Sequence, residues 1–248
     1  MNRLVTMTAL AALIAGSAAA DDVKIGVLLG FTGGAETLAP DMAAGAELAM
    51  SEASESGLFL GGSKAVPVRA DSTCGDAALA TAAAERLVTA ELVNGIVGAI
   101  CSGASGAVLQ NVSVPNGMVQ ISPSSTSPGL STMEDDGFFF RTAPSDARQG
   151  QVIAEMLQEM GISSAALTYT NNDYGKGLAD SIEANFQALG GTITLNAAHE
   201  DDKADYSAEI GALASAGGDT LIVAGDADRG GQGIVRAALD SGAFDSFI

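Results

Sequence analysis

The sequence predicts an α/β protein built as two lobes, each a parallel sheet flanked by helices. Two observations carry this reading. After residue 20, short apolar runs of strand length alternate with helix-period patterns to the end of the chain, as in parallel sheets covered by helices. The rhythm breaks once, around Phe138 to Pro144, and a second series of the same kind follows the break. We therefore expect a signal peptide at residues 1–20, an N-terminal lobe at 21–142 and a second lobe at 143–248, both lobes incomplete.

The first twenty residues read as an export signal. Met1 to Arg3 give a short cationic start, Leu4 to Ala15 an uncharged apolar stretch, and Ala18-Ala19-Ala20 a small-residue cleavage site. The apolar run is shorter than the roughly 20 residues of a membrane span. Cleavage would leave Asp21 first, with no cysteine there for lipid attachment, and the expected location is periplasmic.

The first lobe opens with a strand from Val23 to Leu29, the turn-prone Thr32-Gly33-Gly34 and a helix from about Ala39 to Glu55. Val66 to Ala70 makes the next strand and Ala77 to Ala90 an alanine-rich helix, with Cys74 in the loop between them. Asn94-Gly95 turns into a strand from Ile96 to Ile100, and Cys101 falls at its C-terminal end. A helix from Ala104 and a strand from Met118 to Ser122 follow. Phe138 to Pro144, with Arg141, is a crossing strand, and Ser145 and Asp146 form a helix cap.

Val152, Ile153, Met156, Leu157 and Met160 then recur at helical spacing. The second lobe continues with a strand from Ala165 to Thr170 and a helix marked by Leu178, Ile182, Phe186 and Leu189. Thr192 to Ala197 is a strand, Ile210 and Leu213 mark a helix, Thr220 to Ala224 is a strand, and Ile234, Val235, Ala238 and Leu239 mark the last helix. Phe247-Ile248 reads as the start of another strand, so a chain truncated at its C-terminus is expected.

With 248 residues, 47% hydrophobic and 17% charged, the chain can build one large domain or two smaller lobes. Its net charge of −19 comes from 30 acidic against 11 basic residues and repels nucleic acid and anionic membrane, so no nucleic-acid partner is expected. In an exported chain, Cys74 and Cys101 suggest a disulfide, the alternative being two buried thiols. Together with one distant histidine, His199, they make no zinc ligand set. His199 reads as a surface histidine without a nucleophile partner, and Ser63 as part of a surface turn. No G-x-S-x-G, G-x-G-x-x-G or G-x-x-x-x-G-K-[ST] motif occurs. The reading is of no enzyme, no cofactor and no metal.

Ligands of open parallel sheets gather where strand C-termini lead into helices. Three such loops are small and polar: Phe31 to Gly34, Cys101 to Gly106, and Ser122 to Pro128. Hydroxyls, glycines and unpaired N–H groups there suit a carboxylate. The same residues also serve as ordinary helix caps, and the loops alone leave both readings open.

The chain resembles the leucine/isoleucine/valine-binding proteins, type I periplasmic binding proteins of ABC transporters. The resemblance runs from about Val23 to Ile248. It rests on the order and spacing of Val23-Lys24-Ile25-Gly26-Val27, Gly45-Ala46-Glu47-Leu48-Ala49, Asp71 to Cys74, Cys101-Ser102, Ile121 to Pro128, Phe140-Arg141-Thr142 and Asn172 to Leu178. It implies a two-lobed clamp that captures a branched-chain-like amino acid, or a related small amide or carboxylate, acts as a monomer, and delivers its solute to permease subunits in the inner membrane. A ligand-sensing receptor domain of the same fold is the alternative. The family's disulfide falls on Cys74 and Cys101. Ser102 and Thr126 would hold the ligand carboxylate, and Ser124 would offer backbone contacts, including a carbonyl to the ammonium. Ser125 belongs to the same ligand-binding loop, and Tyr174 would meet the ligand on closure. Leu38 stands where a tyrosine is usual, and the loop of Asp226 lacks the aromatic often found there. Both residues are placed in the ligand-binding wall. The family's acidic ammonium partner would lie beyond the end of this chain.

Overall fold

A computed structural model of the chain describes residues 22–248, so the expected signal peptide lies outside the described residues. The first sheet holds five parallel strands in the order β2-β1-β3-β4-β5: β1 Val23–Leu29, β2 Ala65–Asp71, β3 Ile96–Gly98, β4 Gln120–Ser122 and β5 Phe139–Arg141. The second holds four in the order β7-β6-β8-β9: β6 Ser164–Thr170, β7 Thr192–His199, β8 Thr220–Ala224 and β9 Ser246–Phe247. Every strand pairing is parallel. Seven α-helices flank them among the described residues: α1 Ala39–Glu55, α2 Ala77–Thr89, α3 Ser102–Val108, α4 Asp146–Glu159, α5 Asp173–Ala188, α6 Ser207–Ala216 and α7 Gln232–Ser241.

Both central strands are apolar on both faces because helices cover both. In β1, Leu28 joins Ala80, Ala84 and Leu87 of α2, while Val27 and Leu29 point the other way to Ala39 and Ala43 of α1. The same alternation recurs in β6. Leu167 packs with Leu157 of α4 and Ile182 of α5, whereas Ala166 meets Ile210 of α6 and Ile234 of α7. Continuous apolar runs are the expected signature of such doubly covered parallel strands.

Helix starts follow their caps. The Asp76 carboxylate accepts from the N–H groups of Ala78 and Leu79 at 2.8 and 3.0 Å, Ser145 Oγ from Ala147 at 3.2 Å, and Asn172 Oδ1 from Gly175 at 2.8 Å. Ser145 is thus the N-cap of α4 and Asp146 its first residue.

Two boundaries depart from the periodicity. β3 ends at Gly98 and not at Ile100, because Gly98 adopts φ +148° and a Cβ there would run into the Leu28 carbonyl. α3 then begins at Ser102, before the expected Ala104. Ser63 is not at the surface: it is 6% exposed and its hydroxyl donates to the Leu60 carbonyl at 3.2 Å. On β4 and β5, the register partners Ile121 and Phe140 leave their side chains exposed.

Cys74 and Cys101 are bonded, with Cα atoms 5.5 Å apart across 27 residues of sequence. The bridge ties the β2–α2 loop to the start of α3, two of the loops at the C-terminal ends of the strands. A loop of that length restricts the unfolded chain by about 3 to 4 kcal/mol in the chain-entropy view. Replacing both cysteines by serine is expected to lower the urea midpoint of unfolding by an amount worth about 3 kcal/mol. A midpoint equal to that of the parent chain would count against it.

Candidate functional site

The C-terminal ends of the two sheets face a shared cavity of about 500 Å³, a size suited to a small organic solute. The first sheet supplies the loops after β1 (Gly34, Ala35, Leu38), β2 (Cys74, Gly75), β3 (Cys101 to Ala104) and β4 (Ser124, Thr126). From the second come Asn171 to Tyr174 after β6 and Asp226 and Arg229 after β8, while α4 adds Asp146 and Gln149.

The segment Ser122 to Ser127 is fixed group by group. Ser122 Oγ donates to the Ala99 carbonyl at 2.6 Å and accepts the N–H groups of Ser124 and Ser125 at 3.3 and 2.9 Å. Arg141 Nη1 donates to the carbonyls of Ser125 and Ser127 at 3.3 and 2.9 Å, and the Asp146 N–H donates to that of Thr126 at 2.9 Å. Ser127 N–H donates to Ser102 Oγ at 3.2 Å, which leaves the buried Ser102 hydroxyl its own proton to give. Among the described residues, the Thr126 N–H finds no acceptor and the Ser124 carbonyl no donor. These are the groups that a carboxylate and an ammonium need.

Ser125 departs from its expected place. It is 1% exposed, and its hydroxyl sits beneath the loop, 2.8 Å from Ser105 Oγ and 3.0 Å from the Ile100 carbonyl. Its side chain supports the loop from within.

Asp146 is the residue that sequence reasoning missed, since its position after Ser145 marks only a helix start. It is 2% exposed and borders the cavity, and its Oδ2 has no hydrogen-bond partner. Burial pushes its carboxyl above the usual range, against the opposing pull of the Thr126 hydroxyl and the Arg141 charge. Tyr174, in the first turn of α5, lies near two carboxylates: burial raises its phenol, and Asp146 and Asp226 raise it further. Asp226 Oδ2 accepts from Asn172 Nδ2 at 3.2 Å, and its N–H donates to Thr170 Oγ1 at 3.0 Å. Leu38 borders the cavity and stays 53% exposed. The structure thus gathers Ser102, Ser124, Thr126, Tyr174, Asp226 and Leu38 around one space and sets Ser125 behind it.

His199 is not a surface histidine. It is 1% exposed at the end of β7, with Nδ1 2.9 Å from Thr168 Oγ1, Nε2 3.4 Å from Thr170 Oγ1, and Tyr206 edge-on at 6.3 Å. Its place is structural, beneath the strand ends that carry the second half of the site.

A family model described as periplasmic binding protein matches residues 22–248. The chain belongs to the periplasmic binding protein family. Among its relatives, Leu/Ile/Val-binding protein homolog 3 of Brucella melitensis is 31% identical over 243 residues, 97% of this chain and 64% of that protein. Leu/Ile/Val-binding protein BraC3 of Rhizobium johnstonii is 29% identical over 230 residues, 92% of this chain and 61% of the relative. The crystal structure of the branched-chain amino acid transporter substrate binding protein LivJ from Streptococcus pneumoniae, in complex with isoleucine, superposes with a TM-score of 0.75 at 27% identity, over 91% of this chain and 63% of that one. An R. palustris solute binding protein in complex with 4-hydroxybenzoate superposes at 0.77 and 18% identity, over 91% and 61%, a likeness of fold. This periplasmic binding protein spans less than two thirds of the length of the curated relatives it matches. The two-lobed α/β architecture expected from the sequence is the architecture of the family.

Burial holds the His199 ring below its ordinary pKa of 6.5, with Asp201, Glu209 and Glu200 opposing. The unfolded chain therefore takes up a proton that the folded chain refuses. His199 stabilises fully above pH 6.5, and its contribution is lost as the pH falls below that value, by at most about 1.4 kcal/mol per pH unit. Chemical denaturation between pH 7 and 5 is expected to show this decline, and His199→Gln to flatten it. An unchanged slope in the variant would contradict the assignment.

Proposed function

We propose that the chain is the solute-binding component of an ABC importer. In this reading it captures an amino acid, branched-chain-like, or a related small amide or carboxylate between its lobes, 21–142 and 143–248. The observation that carries this reading is the presence of opposite needs in one cavity. The free Thr126 N–H and the Ser102 hydroxyl line it, and beside Thr126 stands Asp146, whose buried Oδ2 lacks a partner. An α-amino acid satisfies both, its carboxylate at the loop and its ammonium between the Ser124 carbonyl and Asp146. Tyr174 and Asp226 complete the wall from the second lobe, and Leu38 offers apolar surface to the solute's side chain.

Family membership supports the role. So do the names of the relatives, which are Leu/Ile/Val-binding proteins. The solute is held and handed on without chemistry, by a monomer in the periplasm, to permease subunits of the inner membrane. Its export depends on the signal read at residues 1–20.

A thermal-shift screen of the chain against α-amino acids, amides and short carboxylic acids tests the reading. Ligand at a hundred times its dissociation constant should add about 2.7 kcal/mol of stability, and the absence of any shift across the screen would defeat it. Two variants sharpen the test. Thr126→Val keeps the shape of the side chain and removes the hydroxyl, so calorimetry should show affinity falling by about tenfold to a hundredfold. Asp146→Asn should act with opposite signs on stability and binding. A carboxyl whose pKa is raised in the folded state is a burden when ionised at neutral pH. Its removal should therefore stabilise the empty protein while weakening amino acids more than the matching deaminated acids. Destabilisation together with unchanged affinity would leave Asp146 a purely structural residue.

A further inference from the structure

Arg229 enters the cavity from the turn after β8 with its donors only partly used. Gly230 has no Cβ where one would lie 2.9 Å from the Glu200 carbonyl and the Tyr206 hydroxyl, so the turn settles onto the β7–α6 connection. Arg229 Nε consequently donates to Asp201 Oδ2 at 2.6 Å, and Nη2 pairs with the same oxygen. A guanidinium carries five N–H donors. Among the described residues, the Arg229 guanidinium meets no acceptor but that one oxygen. The side chain is nonetheless largely covered, 18% exposed, and its Cδ lies 2.7 Å from where a Cβ on Gly34 would stand. Covered donors without acceptors are costly, and the space these border is the solute cavity.

The first sheet serves as a ruler for where this cation stands. Gly34 follows β1, Ser102 follows β3 and Thr126 follows β4, in the strand order β1-β3-β4. Neighbouring strands are about 4.8 Å apart, which puts the Arg229 end roughly 5 to 10 Å from the Ser102 and Thr126 end. Leu38 and Ile100 make the wall between apolar. That separation suits a side chain of a few carbons with an acceptor at its tip. The charges decide which acceptor. Asp201 already neutralises Arg229, and Asp226 borders the cavity from the same turn, so a second solute carboxylate would meet two like charges. A carboxamide brings a carbonyl for Arg229 and N–H groups for Asp226, whose Oδ2 has Asn172 as its hydrogen-bond donor.

We infer that the solute is an α-amino acid whose side chain ends in an uncharged carbonyl acceptor, a carboxamide or ureido group, and that Arg229 is the specificity-determining residue that receives it. This rests on the proposed function and narrows it.

Titration calorimetry on the full chain with glutamine, glutamate, norleucine and leucine tests it. Glutamine should bind at least about tenfold more tightly than norleucine or glutamate. Arg229→Leu should abolish the advantage of glutamine over norleucine while leaving norleucine nearly unchanged. Asp201→Asn, of the same shape, leaves Arg229 its full charge and should move the preference from glutamine toward glutamate. It also decides the matter should Arg229→Leu fail to fold, since a ratio of glutamine to glutamate unchanged by Asp201→Asn overturns the inference. Norleucine or leucine binding as well as glutamine overturns it too. So does an equal loss for every ligand in Arg229→Leu, which would make Arg229 only a closing lip. In those cases the proposed function stands. If none of the four amino acids binds, the inference falls, and the proposed function falls with it only if the wider thermal-shift screen also shows no shift.

Discussion

One hydrogen bond joins the two halves of the site, from the backbone N–H of Asp146 to the Thr126 carbonyl at 2.9 Å. Thr126 belongs to the loop that follows β4, and Asp146 begins the helix α4, which packs beside the second sheet against β6 and α5. The bond therefore sets the carboxyl of Asp146 against the one loop whose N–H groups and carbonyls are otherwise almost fully engaged. Arg141 strengthens the joint from behind. Its guanidinium holds two carbonyls of the same loop and donates to Ser131 Oγ, while its charge tempers the buried Asp146. A parallel sheet brings its loops to one end by topology, but this joint fixes a carboxyl beside the open N–H and carbonyl groups of one loop.

Glycine lets the second sheet come this close. A Cβ on Gly103, beside Ser102, would lie 3.3 Å from Asp173 Oδ2, and one on Gly177 in α5 would lie 2.7 Å from Ser127 Oγ. A larger residue at Gly177, where Ser127 and the Pro128 ring stand close, would push the two sides apart, while at Gly103 the exposed Asp173 side chain has only to shift slightly. The lips of the cavity therefore consist of backbone meeting side chain, and the polar groups of the interior lie behind them.

Much of this was legible in the sequence because burial on both faces of β1 and β6 writes itself as a continuous apolar run. The cap at Ser145 was readable for a similar reason, since an oxygen must sit before a helix. What escaped depends on distance across the fold. Gly98 ends a strand because of a carbonyl on its neighbour β1, and nothing in the local pattern around Ile96 to Ile100 records that approach. Ser125 looks like its neighbours Ser124 and Thr126, yet a strand–loop geometry that alternates side chains sends it inward to Ser105. His199 and Ser63 are polar and were read as surface, but each found a partner within the chain. Asp146 was named as part of a cap, and only the closure of the loop over it makes its carboxyl a buried group with an unpartnered oxygen.

The unpartnered atoms of the interior separate stability from function. Among the described residues, five buried side-chain atoms lack a hydrogen-bond partner, those of Thr73, Asp146, Asn196, Asp201 and Glu209. Each costs about 1 to 3 kcal/mol if nothing reaches it, so a chain selected for stability alone would pair or remove them. Asn196 lies within β7, away from the strand ends that face the cavity, whereas Thr73 stands in the β2–α2 loop beside the cavity residue Cys74. Asp146 borders the cavity, and Asp201 holds the arginine that does. A disulfide between two of the cavity loops and apolar packing on both faces of each sheet provide the surplus that lets such groups persist. Asp146, which weakens the empty protein, is then a group that a bound solute can satisfy, so the cost it carries without ligand becomes affinity when the cleft is filled.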